Sequence, residues 1–242
     1  DGNKGAVVEV NSETDFVAKN EIFQEYVTDA AIVALRSNGD VCEMKKFNCP
    51  KCGKTFEERL TDMIAKIGEN MNLRRAKMIE VNDGVVASYI HNAAGTNIGK
   101  IGVLVALESK ADKAKLAELG KHIAMHVAAS NPLFLNVAAV DPAAVEHEKA
   151  IYSEQAKASG KPENIIEKMV EGRVRKYYDE VVLEEQAYIM DPDKKVKQVV
   201  ADTAKELGAD IKIADFACFK LGEGLQKKEE DFAAEVASQL NK

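Results

Sequence analysis

The sequence contains no tryptophan, and only four cysteines, four histidines and five prolines in 242 residues. So few cysteines cannot build the dense disulfide framework of a small secreted scaffold, and they fit a reducing compartment. Five prolines beside 15 glycines are too few of either for a disordered chain. Long hydrophobic runs are missing too. The most apolar stretch, "IGKIGVLVAL", is broken by Lys100 and falls far short of the roughly 20 residues that a bilayer crossing needs, so it reads as a buried strand. Excess positive charge is also lacking: 33 Lys and Arg against 40 Asp and Glu leave a formal net charge of -7. A general nucleic-acid binder needs a basic footprint, and only short patches such as "NLRRAK" and "RVRKYY" offer one here. Catalytic patterns are equally scarce. Neither "GEG" nor "NIGKIG" has the spacing of a phosphate loop or a dinucleotide fingerprint, and no Ser–His–acid set or carboxylate pair assembles. The chain reads as a binding protein rather than an enzyme making covalent changes.

What is present is an ordinary globular composition, 46% hydrophobic and 30% charged, long enough for one large domain or two modest ones. "GAVVEV" reads as a strand, and the periodicity of Phe23, Val27, Ala30 and Ala34 predicts a helix from Thr14 or Asp15 to Leu35, stopped by "RSNGD". Residues 41–58 are weakly patterned and suggest a loop or small knuckle. "FEERLTDMIAKIGEN" is helical, with Leu60, Ile64 and Ile67 on one side. "AKMIEV", "VVASYIHN" and "KIGVLVALES" predict three strands, and the turn-like joints "NDG" and "AAGTN" favour an antiparallel sheet. "DKAKLAELGKHIAMHVAAS" is a helix with Leu116, Leu119, Ile123 and Val127 on its apolar face, and Pro132 forbids its continuation.

Residues 143–181 carry two helical stretches joined by "ASGKPEN", where Gly160 is a stop and Pro162 suits a first turn. Ile166, Val170, Val174, Tyr177 and Val181 form one stripe, so this segment predicts an antiparallel helical hairpin with a solvated charged remainder. A helix in "KKVKQVVADTAKELG", a strand in "IKIADFACFKLGEG" and a last helix at about 229–240 complete the chain. Shifting the sequence by 97 residues brings Val10, Ser12 and Asp15 onto Leu107, Ser109 and Asp112. The expected fold is therefore α+β: two related subdomains with antiparallel sheets and flanking helices, at 1–105 and 106–242, with the hairpin inserted in the second.

Three groups of residues stand out. In "TDFVAKN", Asp15 and Phe16 sit where strand gives way to helix. Pattern alone favours a helix cap for Asp15, or for Thr14 with Asp15 in the first turn, and core packing for Phe16. Yet Lys19 and Asn20 break the stripe between Phe16 and Phe23, and the shifted copy has Lys113 in place of Phe16, which leaves room for an exposed ring. His122 and His126 lie four apart on one helix, a spacing that can hold a metal, but no Glu follows His122 as the zinc-hydrolase pattern requires. Structural or interface use is the better reading. "CPKCG", with Cys49 and Cys52, is half of a zinc signal. Cys42 is a third candidate ligand, and a surface loop is the plain alternative.

Taken together, "EVNSETDFVAKNEIF", "IGENMNLRRA", "HIAMHVAASNPLFL", "SGKPENIIEKMVEGRVRKYY" and "DFAAEVA" resemble the translation elongation factor Ts family, in the family's order and across essentially the whole chain. The hairpin resembles the bacterial or plastid form. The resemblance implies a guanine nucleotide exchange factor whose partner is the GTPase elongation factor Tu, acting in the cytoplasm or a plastid stroma, with no cofactor, no direct GDP or GTP binding, no membrane and no obligatory nucleic acid. It implies that Thr14, Asp15, Phe16 and Val17 enter between helices of the GTPase near its magnesium site. Ile101 and Gly102 match a strand-end contact, and His122 and His126, with His126 favoured, belong to a helix on the same surface. The family normally carries a small N-terminal helical module, so a segment is expected upstream of Asp1. Stretch 42–52 departs from the commonest pattern and leaves structural zinc open. The rival readings are a non-exchanging scaffold, a metal-dependent enzyme using Cys49 and Cys52, and an RNA-binding protein with a zinc knuckle.

Overall fold

Strand β1 (Lys4–Ser12) and strand β2 (Met71–Glu80) pair antiparallel into a two-stranded ribbon, with a register shift at Glu9/Val10. The computed structural model from which this is read describes residues 2–50, 52–157 and 162–225. Between the two strands lie α1 (Glu21–Ala34), α2 (Val41–Lys46) and α3 (Phe56–Ile67). Alternation along β1 and β2 sends Val10 and Leu73 into one core with Phe23, Tyr26, Ala30 and Met44. Tyr26 is wedged there against Phe56, with ring centroids 5.3 Å apart, and its hydroxyl donates to the Phe56 carbonyl.

A second sheet has three antiparallel strands in the order β3 (Gly84–Gly95), β4 (Ile98–Glu108), β7 (Lys212–Lys220). Over Val103–Leu107 strand β4 is covered on both faces, which is why that stretch reads as unbroken apolar sequence. Val103, Val105 and Leu107 face α4 (Lys113–Ser130) and α7 (Val196–Leu207), while Leu104 and Ala106 face Val7 and Ile79 of the ribbon. Close approach is bought with glycine on each side. A Cβ on Gly120 would stand 2.7 Å from that of Ala87, and one on Gly102 would stand 2.9 Å from Val7 Cγ2. Helices α5 (Pro142–Lys157) and α6 (Glu163–Val181) form the hairpin, rooted in a small cluster of Val140, Val145, Val174 and Val182. A short ribbon of β5 (Ala187–Tyr188) and β6 (Asp191–Lys195) follows.

The architecture is α+β with antiparallel sheets, as the pattern predicts. Four local expectations change. The first helix does not begin at Thr14 or Asp15. A single 3-10 turn occupies Val17–Lys19, and Asn20 caps α1 with its side-chain oxygen on the amides of Ile22 and Phe23. Asp112, the shifted counterpart of Asp15, does cap its helix. The weakly patterned stretch after Asp40 contains α2, capped by Asp40, and then a loop closed by the Asn48–Thr55 bridge. The three central strands do not form one sheet, because β2 turns away to pair with β1. The line drawn at 105/106 falls inside β4, whose hydrogen bonds to β3 and β7 continue across it. The last helix at 229–240 and the hairpin's Gly160 lie outside the described residues. None of the described helices is long and apolar enough to cross a membrane.

Candidate functional site

The junction from β1 to α1 is built to hold one side chain outward. Thr14 is gripped from α3's far end: its amide donates to Glu69 Oε2 at 2.9 Å and its hydroxyl donates to Glu69 Oε1 at 2.6 Å. Ser12 Oγ donates to the Thr14 carbonyl. Three residues on, Val17 is buried in the α1 core. The turn between is closed by Lys19 N–H on the Phe16 carbonyl and Asn20 N–H on that of Val17. Gln24 Nε2 then ties the turn to the second sheet, donating to the carbonyls of Ala18 and Ala94. Between these anchors Asp15 is exposed and the Phe16 ring is 79% exposed, the most exposed large hydrophobic side chain among the described residues. Phe16 is therefore not core, and Asp15 is not a cap. Burying such a ring is worth about 2 kcal/mol, a gain its own chain leaves unused.

Thr14 and Asp15 line an open groove of about 1250 Å³ with Gly102 and the Ile98–Lys100 end of β4. Ile101, next along the strand, points the other way and packs with the α4 core. The structure thus brings Thr14, Asp15 and Gly102 to one groove, with Phe16 exposed on the turn beside Asp15, and puts Ile101, His122 and His126 with the α4 layer.

His126 is fully buried on α4, against the expectation that it is the direct contact. Its Nε2 pairs with Gln186 Oε1 at 2.9 Å and its Nδ1 accepts from the Ile189 amide at 3.2 Å, so the ring is neutral with the proton on Nε2. Burial pushes its pKa below the ordinary 6.5, with the Gln186 bond opposing that in part. Gln186 is itself buried and donates to the carbonyls of Ser130 and Glu180, joining α4, α6 and the β5–β6 ribbon. His122, one turn earlier, is half-buried and is the histidine of the pair with access to solvent.

Cys42 and Cys52 are exposed and Cys49 is buried. Among the described residues no group of three or more His, Cys, Asp or Glu is placed to hold a metal ion. The knuckle owes its form to backbone pairing, Cys49 N–H to the Lys54 carbonyl and Gly53 N–H to the Cys49 carbonyl. Sequence reasoning missed Glu69, Gln24 and Gln186, since nothing in local spacing marks a partner 55, 70 or 60 residues away.

A turn hydrogen-bonded on both sides thus presents an acid and a bare ring to solvent. The family described as "Elongation factor TS" matches residues 13–223. The chain is 54% identical over 237 residues to elongation factor Ts of Sinorhizobium medicae (strain WSM419), covering 98% of this chain and 77% of the relative. Against elongation factor Ts of Paramagnetospirillum magneticum (strain ATCC 700264 / AMB-1) it is 55% identical over 238 residues, or 98% and 76%. Against that of Rhodospirillum rubrum it is 54% identical over all 242 residues and 78% of the relative. The chain belongs to the elongation factor Ts family. Its function is that family's, guanine nucleotide exchange on elongation factor Tu in protein biosynthesis. The scaffold and RNA-binding alternatives find no support in these relatives.

Proposed function

We propose that exchange is driven by the Thr14–Val17 turn, with Phe16 as the wedge and Asp15 as its polar companion, acting on the nucleotide-binding domain of elongation factor Tu. The observation that carries this reading is a large apolar ring standing 79% exposed on a turn that is hydrogen-bonded on both sides. GTPases hold nucleotide and Mg²⁺ with a preorganised phosphate loop. A ring inserted between the helices that support such a loop favours a distorted pocket, and a carboxylate beside it competes for the hydrogen bonds of the old geometry. Neither nucleophile nor proton transfer is required. The factor needs only to bind the open pocket better than the closed one, and roughly 4 kcal/mol of difference changes nucleotide affinity about a thousandfold. The coupling is reciprocal, so GTP rebinding displaces the factor.

Gly102 lies along the same groove and extends the contact. On the helix side, His122 takes the contact role expected of His126, because His126 is engaged inside its own chain. The hairpin reaches the GTPase from another side. The compartment is the cytoplasm, in keeping with bacterial relatives. No resident cofactor takes part.

The test is release of a fluorescent GDP analogue from elongation factor Tu. Phe16→Ala should slow factor-stimulated release by at least tenfold while thermal unfolding stays within about 0.5 kcal/mol of the parent, as for an exposed position. Release at the parent rate would end the wedge reading.

A further inference from the structure

We infer that Glu69 is a positioning residue for exchange, holding the Asp15–Phe16 turn in its docking geometry through Thr14. The inference rests on the wedge reading above.

Glu69 lies just beyond the left-handed Gly68 that ends α3, and one residue, Asn70, separates it from β2. Both of its carboxylate oxygens are used on one residue, Thr14, 55 positions away. Bonds of 2.6 and 2.9 Å from a hydroxyl and an amide to a carboxylate are the short, charge-assisted kind. Two donors of one residue on two oxygens of one carboxylate fix orientation as well as distance. This contact does not serve the core. It lies at the surface, its oxygens would be well solvated without it, and Thr14 itself is exposed. Its effect falls on the next two residues. With Thr14 clamped before them and Val17 buried after them, Asp15 and Phe16 have little freedom to lose on docking. A turn free to move would have to be ordered at the moment of binding, and that cost is subtracted from the work done on the GTPase.

The experiment is a double-mutant cycle between Glu69→Ala and Phe16→Ala, read as the maximal rate of fluorescent GDP release from elongation factor Tu. Thr14→Val serves as a second probe that keeps the amide bond and removes the hydroxyl one. In the parent background Glu69→Ala should slow release about tenfold and Thr14→Val about threefold, with unchanged circular dichroism. In the Phe16→Ala background Glu69→Ala should cost less than twofold, because the clamp then has no ring to aim. A role in general folding would give the same loss in both backgrounds, and that result would overturn the inference. So would a parent rate for Glu69→Ala while Phe16→Ala is slow. If Phe16→Ala itself releases GDP at the parent rate, the wedge reading fails and takes the positioning role with it.

Discussion

His126 Nε2 and Gln186 Oε1 meet at 2.9 Å across 60 residues of chain, inside a layer where both residues are buried. The bond fixes one tautomer, since Nδ1 is already accepting from Ile189 N–H. Protonating Nδ1 would set a donor against a donor. With its folded pKa held below the ordinary 6.5, the unfolded chain takes up this proton first as pH falls. The contribution to stability is therefore whole above about pH 6.5 and shrinks below it, toward the folded value. Thermal unfolding followed from pH 7.5 to 5 should show this decline, and His126→Gln should flatten it. Identical slopes in parent and variant would show that the ring is not the group responsible.

Asn20 and Asp15 should differ sharply on substitution. Asn20 accepts from Ile22 and Phe23 at the start of α1, so Asn20→Ala should destabilise by about 1 kcal/mol in urea unfolding. Asp15 caps nothing, and Asp15→Ala should be neutral for stability while slowing GDP release. Equal stability losses would mean that the acid supports the fold after all.

Glu9 is a buried carboxylate that gathers Arg74, Arg75, Asn11 and the Gly222 amide, and so ties the first ribbon to the chain beyond β7. Burial pushes its pKa up, but the bonds from Gly222, Asn11, Arg75 and Arg74 outweigh this and hold it below the ordinary 4.5. Its contribution is full above about pH 4.5 and is lost as pH falls through the folded value, a window distinct from that of His126. Glu9→Ala should cost about 3 kcal/mol, since two guanidinium groups lose their shared counter-ion. Chemical denaturation at pH 7 measures this, and a loss below about 1 kcal/mol would mean that solvent replaces the carboxylate.

The hairpin is rooted by Val140, Val145, Val174 and Val182, with Val170 packed against them, so residues 150–169 can be replaced by a short glycine linker without opening that root. The shortened protein should keep the parent's melting temperature for the rest of the fold. It should need several-fold more factor to half-saturate GDP release. An unchanged half-saturating concentration would remove the hairpin from the interaction.

Much of the fold was legible in local pattern. The α4 stripe of Leu116, Leu119, Ile123 and Val127 is buried as its three- and four-residue spacing predicts, and β4 is buried over Val103–Leu107, the most apolar part of its run. The short α2 was not legible, because six residues give too few turns for a period to show. The two-residue β5 fails for the same reason. At the candidate site, "TDFVAKN" marks the right turn, but its pattern places the cap at Asp15 or Thr14 when it belongs to Asn20. All three are good cap residues, and only the burial of Val17 and the extra 3-10 turn decide among them.

By itself the sequence determined the longer helices and strands and which family the chain belongs to, because side-chain period and residue order are properties of the chain alone. The tertiary structure alone decided that Phe16 faces solvent, that His126 does not, and that Glu69 grips Thr14. Exposure and long-range hydrogen bonds depend on what the rest of the chain places nearby, and residues 55 or 60 positions apart become neighbours only when the whole fold has formed.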